Sequence, residues 1–162
     1  MEVRDAISLE WHDFPGLPAE LLYEVLRFRQ AIFVVEQACA YPDLDGLDLL
    51  ADHLLLHANG ALAGYLRLID HPEEHRVSIG RVAVGPSFRN CGFARRLMAA
   101  ALSCCASDYP GLAVGLSAQT HLTRLYESLG FRAIGPPYDD YGVPHIRMVL
   151  ATGELRGSRQ PG

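Results

Sequence analysis

The segment Val82-Ala83-Val84-Gly85-Pro86-Ser87-Phe88-Arg89-Asn90-Cys91-Gly92-Phe93-Ala94-Arg95-Arg96 holds the residue types best suited to chemistry. An apolar, β-branched run ends at Val84, Gly85-Pro86-Ser87 turns the chain, and a helix is expected from about Gly92. The first N–H groups of a helix have no partner inside it, and the helix dipole adds partial positive charge at that end. Such an end attracts anions, phosphate in particular. Gly92 would let the backbone approach a bulky pyrophosphate, and Ala94 has nearly as little bulk. No Asp or Glu lies in the segment to repel such a ligand.

Other reactive types are scattered. Cys91 opens the same helix and is a candidate nucleophile, set against its place as an unspecified position of an anion loop. His53 and His57, like His71 and His75, stand four apart, a spacing that suits a metal. The first pair falls in an expected strand and the second in a Pro-containing loop, and no H-E-x-x-H accompanies them, so no metal is expected. Asp43-x-Asp45-Gly46-x-Asp48 lacks the twelve-residue calcium-loop pattern and its terminal Glu. That acidic stretch, running on to Asp52, could favour a cationic substrate, but Asp-Gly turns explain it equally well.

The elements that must carry these residues read as one interleaved α/β domain over residues 1–150, with a tail at 151–162 rich in Gly, Ser, Arg and Pro. A weakly alternating strand at Ile7–Trp11 precedes Pro18, which suits a first helical position. Leu21, Leu22, Val25, Leu26, Arg29, Ile32 and Phe33 then form a stripe at helical spacing, ending near Val35. His53–Ala58 and Ala61–Ile69 flank Asn59-Gly60, a hairpin signal. Val77–Val84 is a further strand, and Phe93, Leu97, Ala101 and Cys104 mark one face of the helix after it. Leu112–Ser117 reads as a buried strand. Leu122, Leu125, Tyr126 and Leu129 form a helical stripe stopped by Gly130. Arg132–Ile134 and Ile146–Leu150 close the chain as strands around a loop rich in Pro, Asp and Tyr.

Composition bounds the function. At 162 residues, 49% apolar and 20% charged, the chain can bury a core of its own and is neither disordered nor fibrous. A net charge of −5 argues against a general nucleic-acid binder. All 14 basic residues are Arg, so no side-chain amine exists to act as a nucleophile, form a Schiff base or be acylated, leaving only the N-terminal amine as an acceptor in cis. Residues 75–107 carry five Arg and no acid, a local +5 in a chain whose remainder is −10; a solvated face is the simplest reading. The longest apolar run, Leu97–Ala106, is too short for a membrane span, and the charged start has no secretory character. Four Cys without a C-x-x-C pair read as free thiols in a reducing cytoplasm.

Arg89-x-x-Gly92-x-Ala94 is similar to the pyrophosphate loop of the GCN5-related N-acetyltransferase (GNAT) superfamily, and Leu125-Tyr126-Glu127-Ser128-Leu129-Gly130-Phe131 resembles the signature of that family's last helix. Phe28–Gln37, Tyr41–Gly46, Ile79–Val82, Ser117–Leu122 and Gly142–Ile146 extend the resemblance over about residues 8–150, closest to the ElaA-like branch. It implies a GNAT-type mixed sheet flanked by helices on both faces. It also implies transfer of an acetyl group from acetyl-CoA to a primary amine by direct attack in a ternary complex, with no metal.

By the same resemblance, Val82, Ala83 and Val84 pair with the pantetheine arm, and the Val82 N–H polarises the thioester carbonyl. Arg89, Asn90, Cys91, Gly92, Phe93 and Ala94 hold the pyrophosphate. A Tyr on an apolar helical stripe is usually a core residue, but the resemblance implies that Tyr126 protonates the departing thiolate. Gln119 stands where many members carry Asn, and its longer side chain could hydrogen-bond the pantetheine or the acceptor. Glu36, His121 and His145 are candidates for the acceptor site, with a solvated helix end the simpler reading of Glu36 and a structural imidazole an equal reading of His145. The partner is a small-molecule or peptide amine, with no nucleic acid or membrane and a homodimer left open. The alternative is an acyl-CoA-binding sensor or interaction domain without transfer activity. A nucleotide-binding Rossmann domain is disfavoured because G-x-G-x-x-G is absent.

Overall fold

Two apolar runs separated by Asn-Gly should close into a two-residue hairpin, because both central residues must adopt positive φ. In the structure, a computed structural model that describes residues 6–150, β2 (Ala51–Ala58) and β3 (Ala61–His71) pair antiparallel about Asn59 and Gly60, at φ 52° and 81°. Both strands are buried along most of their length, as strands covered on both faces are. β1 (Ile7–Asp13) adds to β2 with Trp11 opposite Leu54. α1 (Ala19–Arg29) packs Leu21, Val25 and Phe28 against Leu55, Leu62 and Tyr65. The Pro18 carbonyl accepts from the Leu22 N–H at 2.9 Å, so a proline lacking its own N–H is harmless there. The helical stripe expected to run to Val35 widens beyond α1 into a π-helix over Gln30–Glu36.

β4 (Arg76–Val84) and α2 (Phe93–Asp108) follow in the expected order. Leu97 and Met98 are fully buried in α2, each worth roughly 1.5–3 kcal/mol of apolar burial. The helix buries Phe93, Leu97 and Ala101 as its stripe predicts, but Cys105 is buried more deeply than Cys104. β5 (Ala113–Gln119) pairs parallel with the first residues of β4, from Arg76↔Ala113 to Ser78↔Gly115. α3 (Thr123–Ser128) then leads to β6 (Phe131–Asp140) and β7 (Val143–Leu150).

The sheet order is β1-β2-β3-β4-β5-β7-β6, a seven-stranded mixed sheet with three α-helices and the α/β class expected. The chain divides into two compact units, residues 6–69 with 79–102, and residues 70–78 with 103–150. β3, β4 and α2 contribute to both.

One expectation fails clearly. The Pro-, Asp- and Tyr-rich stretch before Ile146 is not a loop: β6 runs to Asp140 and β7 starts at Val143, joined at Tyr141 and Gly142 with φ 51° and 84°. β6 stands last in the sheet order, and its ladder with β7 shifts register between Ile134 and Tyr138, where Gly135 has φ 73°. Prolines are tolerated at edge strands and bulges, so Pro136 and Pro137 do not end the strand. The charged start Met1–Asp5 and the expected tail at 151–162 lie outside the described residues.

Candidate functional site

The first unit holds the anion loop. Gly85, just past β4, donates to the Ala63 carbonyl at 2.8 Å, and a Cβ there would stand 3.3 Å from Phe28 Cε2 and 3.4 Å from Phe88 Cδ2. A single turn over Pro86–Phe88 follows, and Phe88 stacks on Phe93 with centroids 6.3 Å apart. Asn90 and Gly92 both take left-handed conformations, at φ 61° and 78°, before α2 begins. A Cβ on Gly92 would meet nothing within 4 Å, so the space above it is open. The first turn of α2 carries no acid, and Arg95 and Arg96 are exposed. Cys91 is exposed, with Sγ 3.5 Å from the Arg89 carbonyl.

Arg89 and Glu36, expected on the cofactor and acceptor sides respectively, meet. Arg89 Nη2 lies 2.8 Å and 3.0 Å from the two Glu36 oxygens, and its Nε donates to the Val84 carbonyl at 3.2 Å. The loop Arg is thereby tied to both the strand end and the π-helix end.

A buried ionic cluster supports β4, and sequence reasoning missed it. Arg29 is fully buried. Its Nε donates to Asp43 Oδ2 at 3.1 Å, Nη1 to Asp48 Oδ1 at 2.7 Å and Nη2 to the Asp43 carbonyl at 3.0 Å. Arg67 bonds Asp45 through two nitrogens, at 2.9 and 2.6 Å, and Asp48 at 3.0 Å. Arg81 stands in mid-β4 at φ 52°, a left-handed conformation unusual for a side-chain-bearing residue. Its guanidinium reaches Asp43 Oδ1 at 2.8 Å and Asp45 Oδ2 at 3.2 Å, and lies over the Tyr41 ring at 5.0 Å. Three guanidinium groups thus neutralise Asp43, Asp45 and Asp48, and these carboxylates are committed internally rather than presented to a cationic substrate. The signal available in the sequence was Arg29 on a buried stripe, since a buried charge requires a partner.

Burial, opposed by Asp48 and helped by the Arg29 and Arg67 charges, holds the His53 imidazole below its ordinary pKa. Its Nε2 faces the Asp48 carbonyl at 2.9 Å, which can only accept, so Nε2 carries the proton and Nδ1 accepts from the Tyr65 hydroxyl at 2.6 Å. With both nitrogens engaged, His53 cannot also bind a metal alongside His57. His71 Nε2 lies 2.8 Å from Ser78 Oγ in the second unit.

The second unit holds the remaining candidates. Tyr126, on α3, is 5% exposed and packs edge-on against Phe131 at 6.2 Å. Burial pushes its phenol up to about 12, which keeps it a proton donor at neutral pH. Its hydroxyl makes no hydrogen bond among the described residues. Gln119 ends β5 directly opposite His145 of β7, whereas His121 is exposed in the turn beyond. His145 Nδ1 faces the Val143 carbonyl at 2.8 Å, so Nδ1 carries the proton and Nε2 keeps its lone pair. The ring stacks on Tyr138 at 6.0 Å, and the Tyr138 hydroxyl bonds Ser117 Oγ.

Residues 46–152 match the family model described as an acetyltransferase (GNAT) domain. Protein ElaA of Escherichia coli (strain K12) is 39% identical over 146 residues, covering 87% of this chain and 95% of that protein. A UPF0039 protein of Synechocystis sp. is 40% identical, covering 89% of this chain and 95% of its own. Among solved structures, an acyl-CoA N-acyltransferase from Pseudomonas aeruginosa superposes with a TM-score of 0.84 at 37% identity, over 90% of this chain and all 100% of that one. Escherichia coli ElaA gives 0.84 at 36% identity, over 90% and 99%.

Proposed function

From the premise that the chain belongs to the GNAT family, in its ElaA-like branch, and is an acyltransferase, we propose that it moves an acetyl group from acetyl-CoA directly to a primary amine. The observation that carries this is the Arg89–Ala94 turn. Two left-handed residues, open space over Gly92 and an acid-free start to the 16-residue α2 together support an anion at the helix's N-terminal end.

The chemistry asks little more of the protein. The acceptor nitrogen attacks the thioester carbon, the Val82 N–H supports the oxygen as it gains charge, and the C–S bond breaks. The thiolate takes the phenolic proton of Tyr126, which is still protonated at neutral pH, and the proton that the nitrogen sheds on becoming an amide restores the phenol. The acceptor, held as an ammonium in water, first loses a proton, for which His145 offers a lone pair on Nε2. Ala83 and Val84 are proposed to pair with the pantetheine arm, and Gln119 to hydrogen-bond the pantetheine or the acceptor. Holding two reactants together supplies much of the rate.

Acetyl-CoA should raise the melting temperature, and thiol should be released when a suitable amine is added. Tyr126→Phe should lower kcat at least about tenfold while acetyl-CoA still stabilises the protein. Stabilisation by unrelated nucleotides but not by acetyl-CoA would overturn the reading. Stabilisation by acetyl-CoA without thiol release over a broad amine panel would leave a binding domain instead.

A further inference from the structure

β5 and β7 each have a more buried and a more open face, and β6 beside them is exposed along most of its length. Along β5, Val114, Leu116 and Ala118 are buried, and alternation puts Ser117 and Gln119 on the opposite side. The register carries that open side across the strands. Ser117 lies opposite Arg147, and Arg147 opposite Ile134; Gln119 lies opposite His145, and His145 opposite Tyr138. Directly opposed residues share a face, so two rows of three stand side by side. The extra residues where β6 shifts register open a cavity of about 360 Å³, lined by Ile134, Gly135, Pro136, Tyr138 and Arg147.

Charge on this face is uneven. Arg29, Arg67, Arg76, Arg81 and Arg89 each hold a carboxylate. Arg147 has no ion pair among the described residues. Glu74, whose charge feels Arg147, is bound to Arg76 at 2.5 Å. Arg132 adds a second cation one row beyond, opposite Val149, whereas Asp140 stands at the other end, opposite Val143 and one row past His145. The face is cationic at one end, carries an imidazole lone pair in the middle and an acid at the far end.

We propose that this face binds an amine acceptor that also bears a carboxylate, that is, a substrate of amino-acid type. The carboxylate sits on the Arg147 guanidinium, whose planar fork matches it with two parallel hydrogen bonds. The apolar side chain enters the cavity between Ile134, Pro136 and Tyr138. The amine then lies toward His145, two residues along β7 and about 7 Å away by strand rise, a gap that the long Arg side chain shortens. This rests on the acetyl-transfer reading and names its acceptor class.

The test compares thiol release from acetyl-CoA with leucine and phenylalanine, with their amides, and with a simple polyamine. The free acids should have the higher kcat/KM, by at least about tenfold. Arg147→Gln should abolish that preference, mainly through KM for the acids, and Arg147→Lys should restore part of it. A melting shift with acetyl-CoA verifies that each variant is folded and loaded. Amides or polyamine used as well as the acids, or an Arg147→Gln loss equal for acids and amides, overturns the inference and leaves acetyl transfer standing. No response to acetyl-CoA in the wild type brings down the transfer reading, and this inference with it.

Discussion

Removing the Asp45 charge by Asp45→Asn should destabilise the protein at neutral pH and make almost no difference in strong acid. The Asp45 carboxylate receives two Arg67 nitrogens at 2.9 and 2.6 Å, Arg81 Nη2 at 3.2 Å and the Leu47 N–H at 3.0 Å. Partial burial alone would raise its pKa. The Arg67 hydrogen bonds, the Leu47 N–H and the two guanidinium charges together outweigh that and bring it down to about 2 from the usual 3.8. At about 1.4 kcal/mol per pH unit, that shift corresponds to about 2.5 kcal/mol for a fully buried group. Asp45 is an exposed residue, so screening by solvent reduces the figure to about 1–1.5 kcal/mol.

A depressed carboxylate contributes its stability above the unfolded-state pKa and loses it as pH falls through the folded one. The wild-type advantage should therefore be complete above about pH 5, shrink as pH falls, and be gone only below about pH 2. Asp48, whose pKa is also lowered once its Arg29 and Arg67 bonds overcome burial, steepens the acid loss in both proteins without closing the gap between them. Urea unfolding followed by circular dichroism at pH 7, 4.5 and 3 measures this directly. The corresponding difference in melting temperature at pH 7 is about 3–5 °C. A gap that stays constant with pH, or that is absent at pH 7, would show that the cluster fills space without contributing its charge.

Two further outcomes bear on the anion loop. Gly92→Val forces a β-branched residue to φ 78° and places its methyl groups in the open space over the helix end, so it should cost about 1–2 kcal/mol in stability and raise the KM for acetyl-CoA severalfold more than it alters kcat. Cys91 is the exposed cysteine, whereas Cys39 and Cys105 are buried. Alkylation mapped by mass spectrometry should find Cys91 first, and acetyl-CoA at ten times its Kd should slow that labelling about tenfold. Labelling unaffected by acetyl-CoA would place the pyrophosphate elsewhere.

Much of the fold was legible because its signals are local. Asn59-Gly60 dictates its turn through two positive-φ residues, and the Leu21–Phe33 spacing dictates a helix wherever an apolar surface exists to receive it. Long-range pairing leaves no such local mark. Arg29 meets Asp48 across 19 positions and Arg81 meets the Asp43 carbonyl across 38, so neither the stripe nor the acidic run could announce the cluster they jointly form. β6 was missed for another reason. Pro136 and Pro137 forbid donation to a ladder, but an edge strand with a bulge needs no donation there. The face carrying Gln119 and His145 is visible only once β5 and β7 are paired.

The charge pattern gains its meaning at the same level. Of the five Arg in residues 75–107, Arg76 is spent on Glu74, Arg81 on Asp43 and Asp45, and Arg89 on Glu36. Arg95 and Arg96, one turn into α2 and without an ion pair among the described residues, are the cations left to the anion loop, beside the helix end itself. Arg89 can serve a phosphate only through Nη1 or by releasing Glu36, because Nε and Nη2 are already engaged. The Glu36 carboxylate is held by the Arg89 guanidinium at 2.8 Å. That contact suits Glu36 to steadying the loop, and the proposed acetyl transfer assigns the proton-accepting role to His145.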